Sequence, residues 1–124
     1  MRRDTVRIIY SNSKVEQQCT SIKTATKLFG GDKKMALSLQ SRIFAIQNAD
    51  VIKDIIVMKP FRFHQLKGSL KGYFAIDVKT GRDKWRIILR PLDENKNVFD
   101  PCNIDEIASV VEVVEIREVS AHYE

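Results

Sequence analysis

Tyr73-Phe74-Ala75-Ile76-Asp77-Val78-Lys79-Thr80-Gly81-Arg82-Asp83-Lys84-Trp85-Arg86-Ile87-Ile88-Leu89-Arg90 reads as two strands joined by a tight connection. In the first, Phe74, Ile76 and Val78 alternate with Ala75 and Asp77, the period of two that sends neighbouring side chains to opposite faces of a sheet. Thr80 to Asp83 supplies the turn residues. On the return strand, Lys84 to Arg90, one side carries Trp85, Ile87 and Leu89 and the other carries Arg86, Ile88 and Arg90. One face is thus made for a core, and the other bears arginines.

Outward from this hairpin the rest of the domain falls into place. Pro91 is expected to stop the strand, and the polar stretch Leu92 to Asn103 reads as a loop. Ile104 to Ala108 suits a short helical turn, and Val110 to Val119 a long last strand, apolar enough at its start to be central. Upstream, Phe61 and Phe63 flank Arg62 in a pattern that suits a short strand. Before Pro60 the period is helical. Val15, Cys19, Ile22 and Phe29, with Thr26 completing the face, predict one helix from Lys14 to Phe29, opened by Ser11-Asn12-Ser13 and closed by Gly30-Gly31. Asp32 caps a second helix, Lys33 to Ala49, with Ala36, Leu39, Ile43 and Ile46 on one side. The short link makes the two an antiparallel hairpin. Asp50 is expected to cap a further turn through Ile55, and Val6 to Tyr10 reads as a first strand. The sum is a single α+β domain over residues 1–124, with an N-terminal strand and a helical hairpin packed on one face of a twisted antiparallel sheet.

The chain has 124 residues and a formal charge of +5, which points toward a polyanionic partner: nucleic acid, an acidic protein or an anionic membrane surface. Cys19 and Cys102 lie far apart and form no Cys-x-x-Cys pair, so two thiols in a reducing compartment are expected, and no metal site. The apolar run Val6 to Tyr10 is too short for a signal peptide and nothing is long enough to span a membrane, so the expected location is the cytoplasm.

The chemistry gathers at strand edges. His64-Gln65-Leu66-Lys67-Gly68-Ser69-Leu70-Lys71-Gly72 precedes the hairpin, Arg86 and Arg90 lie on its second strand, and His122-Tyr123 close the chain. Cleaving RNA without a metal needs a base for the 2′-hydroxyl, cations for the charge that builds on phosphorus, and an acid for the leaving 5′-oxygen. Histidine titrates near neutrality, and arginine presents a fork that matches phosphate. Each residue also has a plainer reading. Arg86 suits a cross-strand partner for Asp77, Lys67 and Lys71 suit solvated turn residues, and a terminal His122-Tyr123 suits a frayed end. The residues alone support a basic α+β domain that binds RNA or an acidic protein.

His64-x-Leu66-Lys67-Gly68, then Lys71-Gly72-Tyr73-Phe74, Trp85-Arg86-Ile87 and Glu118-Val119-Ser120-Ala121-His122-Tyr123 also stand in an order that resembles the RelE/ParE toxin superfamily, and within it the HigB-like plasmid maintenance killer branch. Leu28-Phe29-Gly30 fits the same pattern, and the resemblance spans nearly the whole chain. It implies a microbial RNase-like fold and the toxin of a type II toxin–antitoxin pair. Its activity would be ribosome-dependent mRNA cleavage without a metal or cofactor, leaving a 2′,3′-cyclic phosphate and a 5′-hydroxyl. The implied partners are a HigA-like helix-turn-helix antitoxin, the ribosome and mRNA, with operator DNA reached only through the antitoxin complex and no membrane. The resemblance assigns Lys67 and Arg86 to the phosphate, His122 to proton transfer, and His64 and Tyr123 to positioning. Lys71, Arg90 and Arg62 would grip flanking RNA. Two departures stand out: some relatives end in Tyr-His where this chain has His122-Tyr123, and Leu92 to Asn103 is an insertion. A ParE-like gyrase poison, a non-catalytic RNA- or ribosome-binding module and an inactive toxin are the alternatives on the same fold.

Overall fold

The computed structural model describes residues 5–81 and 84–121. After β1 (Arg7–Tyr10), the Asn12 side chain accepts a hydrogen bond from Val15 N at 2.9 Å and opens α1 (Ser13–Thr20). The single helix expected from Lys14 to Phe29 is instead two. Ser21 is extended (φ −116°, ψ 119°) and separates α1 from α2 (Ile22–Leu28). Its N–H donates to the Gln17 carbonyl at 3.0 Å while its Oγ accepts from Thr24 N at 3.2 Å. One residue therefore closes one helix and caps the next, a role worth about 1 kcal/mol. Thr20-Ser21-Ile22 is a weak helix-forming run of hydroxyl and β-branched side chains, yet Val15, Cys19 and Ala25 are all buried, so the apolar spacing conceals the break.

Gly30 and Gly31 take positive φ (66° and 96°) to reverse the chain, and Asp32 caps α3 (Lys33–Asn48) by accepting from Met35 N at 3.2 Å. α3 buries Met35, Ala36, Leu39, Ile43 and Ile46. Asp50 does not cap the next turn. The carboxylate at α4 (Lys53–Ile56) is that of Asp54, which accepts from the N–H groups of Asp50 and Val51. The short strand expected around Arg62 is also absent. Pro60 sits in a 3₁₀ turn, Lys59–Phe61, Arg62 adopts a left-handed φ of 49°, and pairing starts only at β2 (His64–Gln65).

β2, β3 (Phe74–Asp77), β4 (Arg86–Leu92) and β5 (Val113–Ser120) form an antiparallel meander, with α5 (Ile104–Ile107) before the last strand. The sheet order is β1-β5-β4-β3-β2, so β5 is interior. β1 joins parallel to β5, which makes the sheet mixed where an antiparallel one is expected. Pro91 does not end β4: it pairs with Val114, and Leu92 with Val113. The ladder with β3 stops at Phe74 opposite Leu89, so the nitrogen of Pro91, on the β3 side, lies beyond the end of that ladder.

Between Leu89 and Ile88 the partner on β5 jumps from Ile116 to Glu118, leaving Arg117 as the extra residue of a bulge. The bulge lets Ile116 and Val119 both face the core despite their spacing of three. The core lies between the helices and Ile76, Val78, Ile87, Leu89, Val114, Ile116 and Val119. Trp85 joins this side, its ring edge-on to Phe29 at 4.9 Å. The opposite face is not wholly open. Leu66 and Leu70, with Tyr73 against them, form a second small core on Ala75 and Ile88. Among the described residues no helix is long and apolar enough to cross a membrane.

Candidate active site

Strand register brings the side chains on the face opposite the helices into rows. His64 stands opposite Ala75, Ala75 opposite Ile88, and Ile88 opposite Glu118. One step along, Asp77 stands opposite Arg86 and Arg86 opposite Ser120. One step the other way, Arg90 stands opposite Glu115.

Asp77 organises the middle of this face. It is the buried charged residue among the described positions, and its carboxylate meets two arginines: Arg86 Nε at 2.9 Å from Oδ1, and Arg62 Nε at 3.1 Å from Oδ2. The Arg86 side chain is 11% exposed and that of Arg62 53%. Two guanidinium groups around one carboxylate leave one net positive charge, and Arg86 Nη1 also donates to the Trp85 carbonyl at 2.9 Å. The plain reading of Arg86 as the cross-strand partner of Asp77 is thus realised in the geometry.

Arg62 also sets His64. The His64 Nδ1 lies 2.7 Å from the Arg62 carbonyl, which can only accept, so Nδ1 is the nitrogen that donates there. Lys67 and Lys71 bound the 3₁₀ turn Gly68–Leu70, exposed, with no ion pair among the described residues. Leu66 and Leu70 anchor that turn to the sheet, and Gly68 and Gly72 supply its positive φ values, 66° and 94°. The lysines therefore sit on an anchored segment.

A second cluster lies further along β4. Arg90 Nε pairs with Glu115 at 2.7 Å, and its guanidinium stands over the Tyr73 ring at 4.8 Å. Arg117, pushed out by the bulge and 47% exposed, stands over the same ring at 5.3 Å and 3.5 Å from Glu118. Its bond to the Tyr73 side chain is the main cause that raises its pKa further. Arg62, Arg86, Arg90 and Arg117 thus all meet carboxylates already, which fixes their forks and lowers the field they offer to solvent. His122 and Tyr123 lie outside the described residues, two and three positions past Ser120.

Two residues escape a reading of the sequence. Arg42 of α3 crosses to the sheet, where Nε donates to the Asp77 carbonyl at 2.9 Å and Nη2 to Thr80 Oγ1 at 3.1 Å, with its guanidinium 4.2 Å from the Phe61 ring. Burial pulls the Arg42 pKa down and the Asp77 charge works against that fall. Nothing in the helical pattern marks it. Arg117 does leave a trace: two adjacent charged residues, Arg117-Glu118, break the alternation between Ile116 and Val119, as a bulge does. No three His, Cys, Asp or Glu side chains gather as a metal site among the described residues.

No protein-family model and no curated protein sequence matches the chain. Solved structures do. A chain of the YoeB-YefM complex from Staphylococcus aureus is 16% identical, covers 95% of this chain and 98% of its own length, and superposes with a TM-score of 0.50. A heterotetrameric YoeB-YefM toxin-antitoxin complex from the same organism gives 15% identity, coverages of 95% and 98%, and a TM-score of 0.49. YafQ from E. coli strain BL21(DE3) gives 16%, coverages of 96% and 92%, and 0.46. At such identity the likeness is one of fold: the chain shares with the YoeB-YefM structure an α+β arrangement, here with helices on one face of a sheet of five strands among the described residues.

Proposed function

We propose that this protein is the toxin of a type II toxin–antitoxin pair and an endoribonuclease that cuts mRNA on the ribosome without a metal. The observation that carries the reading is the row Asp77–Arg86–Ser120. It holds an arginine fork in a fixed place on the face opposite the helices, across from Ser120, which precedes His122 by two residues in the sequence. The fold shared with the YoeB-YefM structure agrees with it.

In the proposed reaction the 2′-oxygen loses its proton and bonds to the adjacent phosphorus. The bond from phosphorus to the 5′-oxygen breaks, and that oxygen takes a proton. The products are a 2′,3′-cyclic phosphate and a 5′-hydroxyl, with no net change in oxidation state. Arg86 and Lys67 stabilise the charge that builds on the phosphoryl oxygens. His122 moves the proton, and His64 and Tyr123 position the reacting groups. Lys71, Arg90 and Arg62 hold flanking phosphates. A charge of +5, with the arginines of this face already paired, is small for gripping RNA unaided, which favours action on the ribosome. The antitoxin is a HigA-like helix-turn-helix protein, through which alone the toxin meets operator DNA. Exposed Leu37 and Phe44 beside a groove of about 470 Å³ on the helical side support a protein partner there.

Inducible expression in a bacterium that lacks the antitoxin, wild type beside Arg86→Lys and His122→Gln, with mapping of mRNA 5′ ends, tests the reading. The expected result is growth arrest with new cuts inside coding regions, lost in His122→Gln and reduced in Arg86→Lys. Arrest without cuts would favour the gyrase-poison reading, and no arrest a non-catalytic module or an inactive toxin.

A further inference from the structure

We propose that the cleft between the Val98–Cys102 segment and the Lys71–Arg90 side of the sheet is a nucleotide subsite. It would bind one RNA residue flanking the scissile phosphate, and this rests on the endoribonuclease reading. The insertion that follows β4 is not a slack loop. Asp93 N donates to the Asn97 carbonyl at 2.8 Å, and Asp93 Oδ1 accepts from the N–H groups of Asn95 and Asn97 at 2.8 and 2.9 Å. Leu92 then pairs with Val98, which turns the chain back alongside β4. The excursion that a meander does not need thereby becomes the wall of a cleft of about 450 Å³, within the range of small-molecule sites.

The two walls differ in chemistry. Lys71 gives one side its positive charge, Arg90 adds a guanidinium fork whose charge Glu115 offsets, and Gln65 adds an amide. Val98 and Phe99 give the other side apolar area, and Val98 is 48% exposed. Asp100 adds an acceptor at the same wall. A bare phosphate would use only the cations, and an apolar ligand only the far wall. A nucleotide uses both, with phosphate on the cations and the flat base against the apolar side, where Gln65 and Asp100 can bond its edge. Arg90 is held for this by Glu115 and the Tyr73 ring.

Position supports the same occupant. Arg86 and Arg90 share a face of β4 four residues apart, about 13 Å along the strand. That is a distance a single strand covers within a nucleotide or two, so a message on Arg86 reaches this cleft with its neighbouring residue.

Isotope-labelled full-length protein titrated with AMP, and separately with inorganic phosphate, tests the subsite by the amide signals that move. AMP should move Lys71, Gly72, Phe99 and Cys102 and saturate. Phosphate should bind more weakly by about tenfold, and Val98→Glu should weaken AMP by about tenfold while the thermal midpoint stays put. Lys71→Ala should weaken both ligands. Equal affinity for phosphate and AMP, signals moving elsewhere, or AMP binding unaffected by Val98→Glu would overturn the assignment. No readout here needs cleavage. A wild type that makes no mRNA cuts would sink the nuclease reading and with it the cleft's place beside a scissile phosphate, whatever AMP does, and a cleft that ignores AMP in a protein that cuts would sink the subsite alone.

Discussion

Asp77 Oδ1 lies 2.9 Å from Arg86 Nε, and the two residues are directly paired across β3 and β4. Their side chains are 5% and 11% exposed, so the pair is shielded from water. An arginine on a bare strand would lose rotamer freedom on meeting phosphate. One already clamped by a neighbouring carboxylate has lost it on folding.

This pairing predicts unequal costs. Asp77→Ala leaves Arg86 without its counter-charge in a buried setting and should cost about 3–5 kcal/mol. Arg62→Ala removes an exposed partner of the same carboxylate and should cost less than about 1 kcal/mol. Urea unfolding of the two variants checks this. Equal losses would show that Asp77 does not organise the face through Arg86.

The bulge makes a second prediction. Deleting Arg117 restores regular pairing of Ile88 with Glu118 and Leu89 with Ile116, and Ile116 and Val119 keep their core positions. The variant should stay folded, within about 2 kcal/mol of wild type, while losing a cation beside Tyr73. Deleting Glu115 instead shifts a run of strand residues to the wrong face and should unfold the protein. Circular dichroism and denaturant titration separate the two. Collapse of both alike would show that the bulge itself is needed for the sheet.

These cases also show which parts of the fold the sequence discloses. Period-two alternation locates β3 and β4 and sends Trp85 and Arg86 to opposite faces, because alternation is a local property of the backbone. Asp32 and Gly30-Gly31 marked the α2–α3 junction for the same reason. The break at Ser21 stayed hidden because its caps do not disturb the apolar stripe. The passage of β4 through Pro91 depends on where β3 happens to end, which only the assembled sheet determines. At the site, Arg86 and Asp77 were both visible but their mutual burial was not. Arg42 reaches the sheet from a helix 35 residues away in sequence, and no local pattern announces such a contact.

Alkaline pH should destabilise the protein through one buried group, Cys19, and one half-buried group, Tyr10. Burial pushes the Cys19 thiol from 9.0 up to about 12. Burial, with the charges of Cys19 and Glu16 adding, pushes Tyr10 from 10.0 up to about 12. The folded state thus holds protons that the unfolded chain releases, so this contribution is complete below about pH 9 and is lost as pH rises toward 12. Between pH 8 and about pH 10.5 Cys19 alone should account for a loss of about 2 kcal/mol. Cys19→Ala, though less stable at pH 8, should show a flatter decline over that window in thermal melts. Parallel declines would contradict the assignment.

The central claim is attack by the 2′-hydroxyl on ribosome-bound mRNA. It is tested most directly with purified protein and ribosomes programmed with a defined message, with the cut nucleotide either unmodified or carrying a 2′-O-methyl group. The account predicts cleavage of the unmodified message, with a 5′-hydroxyl on the downstream fragment, and an intact methylated one. Cutting of the methylated message at the same position would contradict it, as would a fragment that begins with a 5′-phosphate.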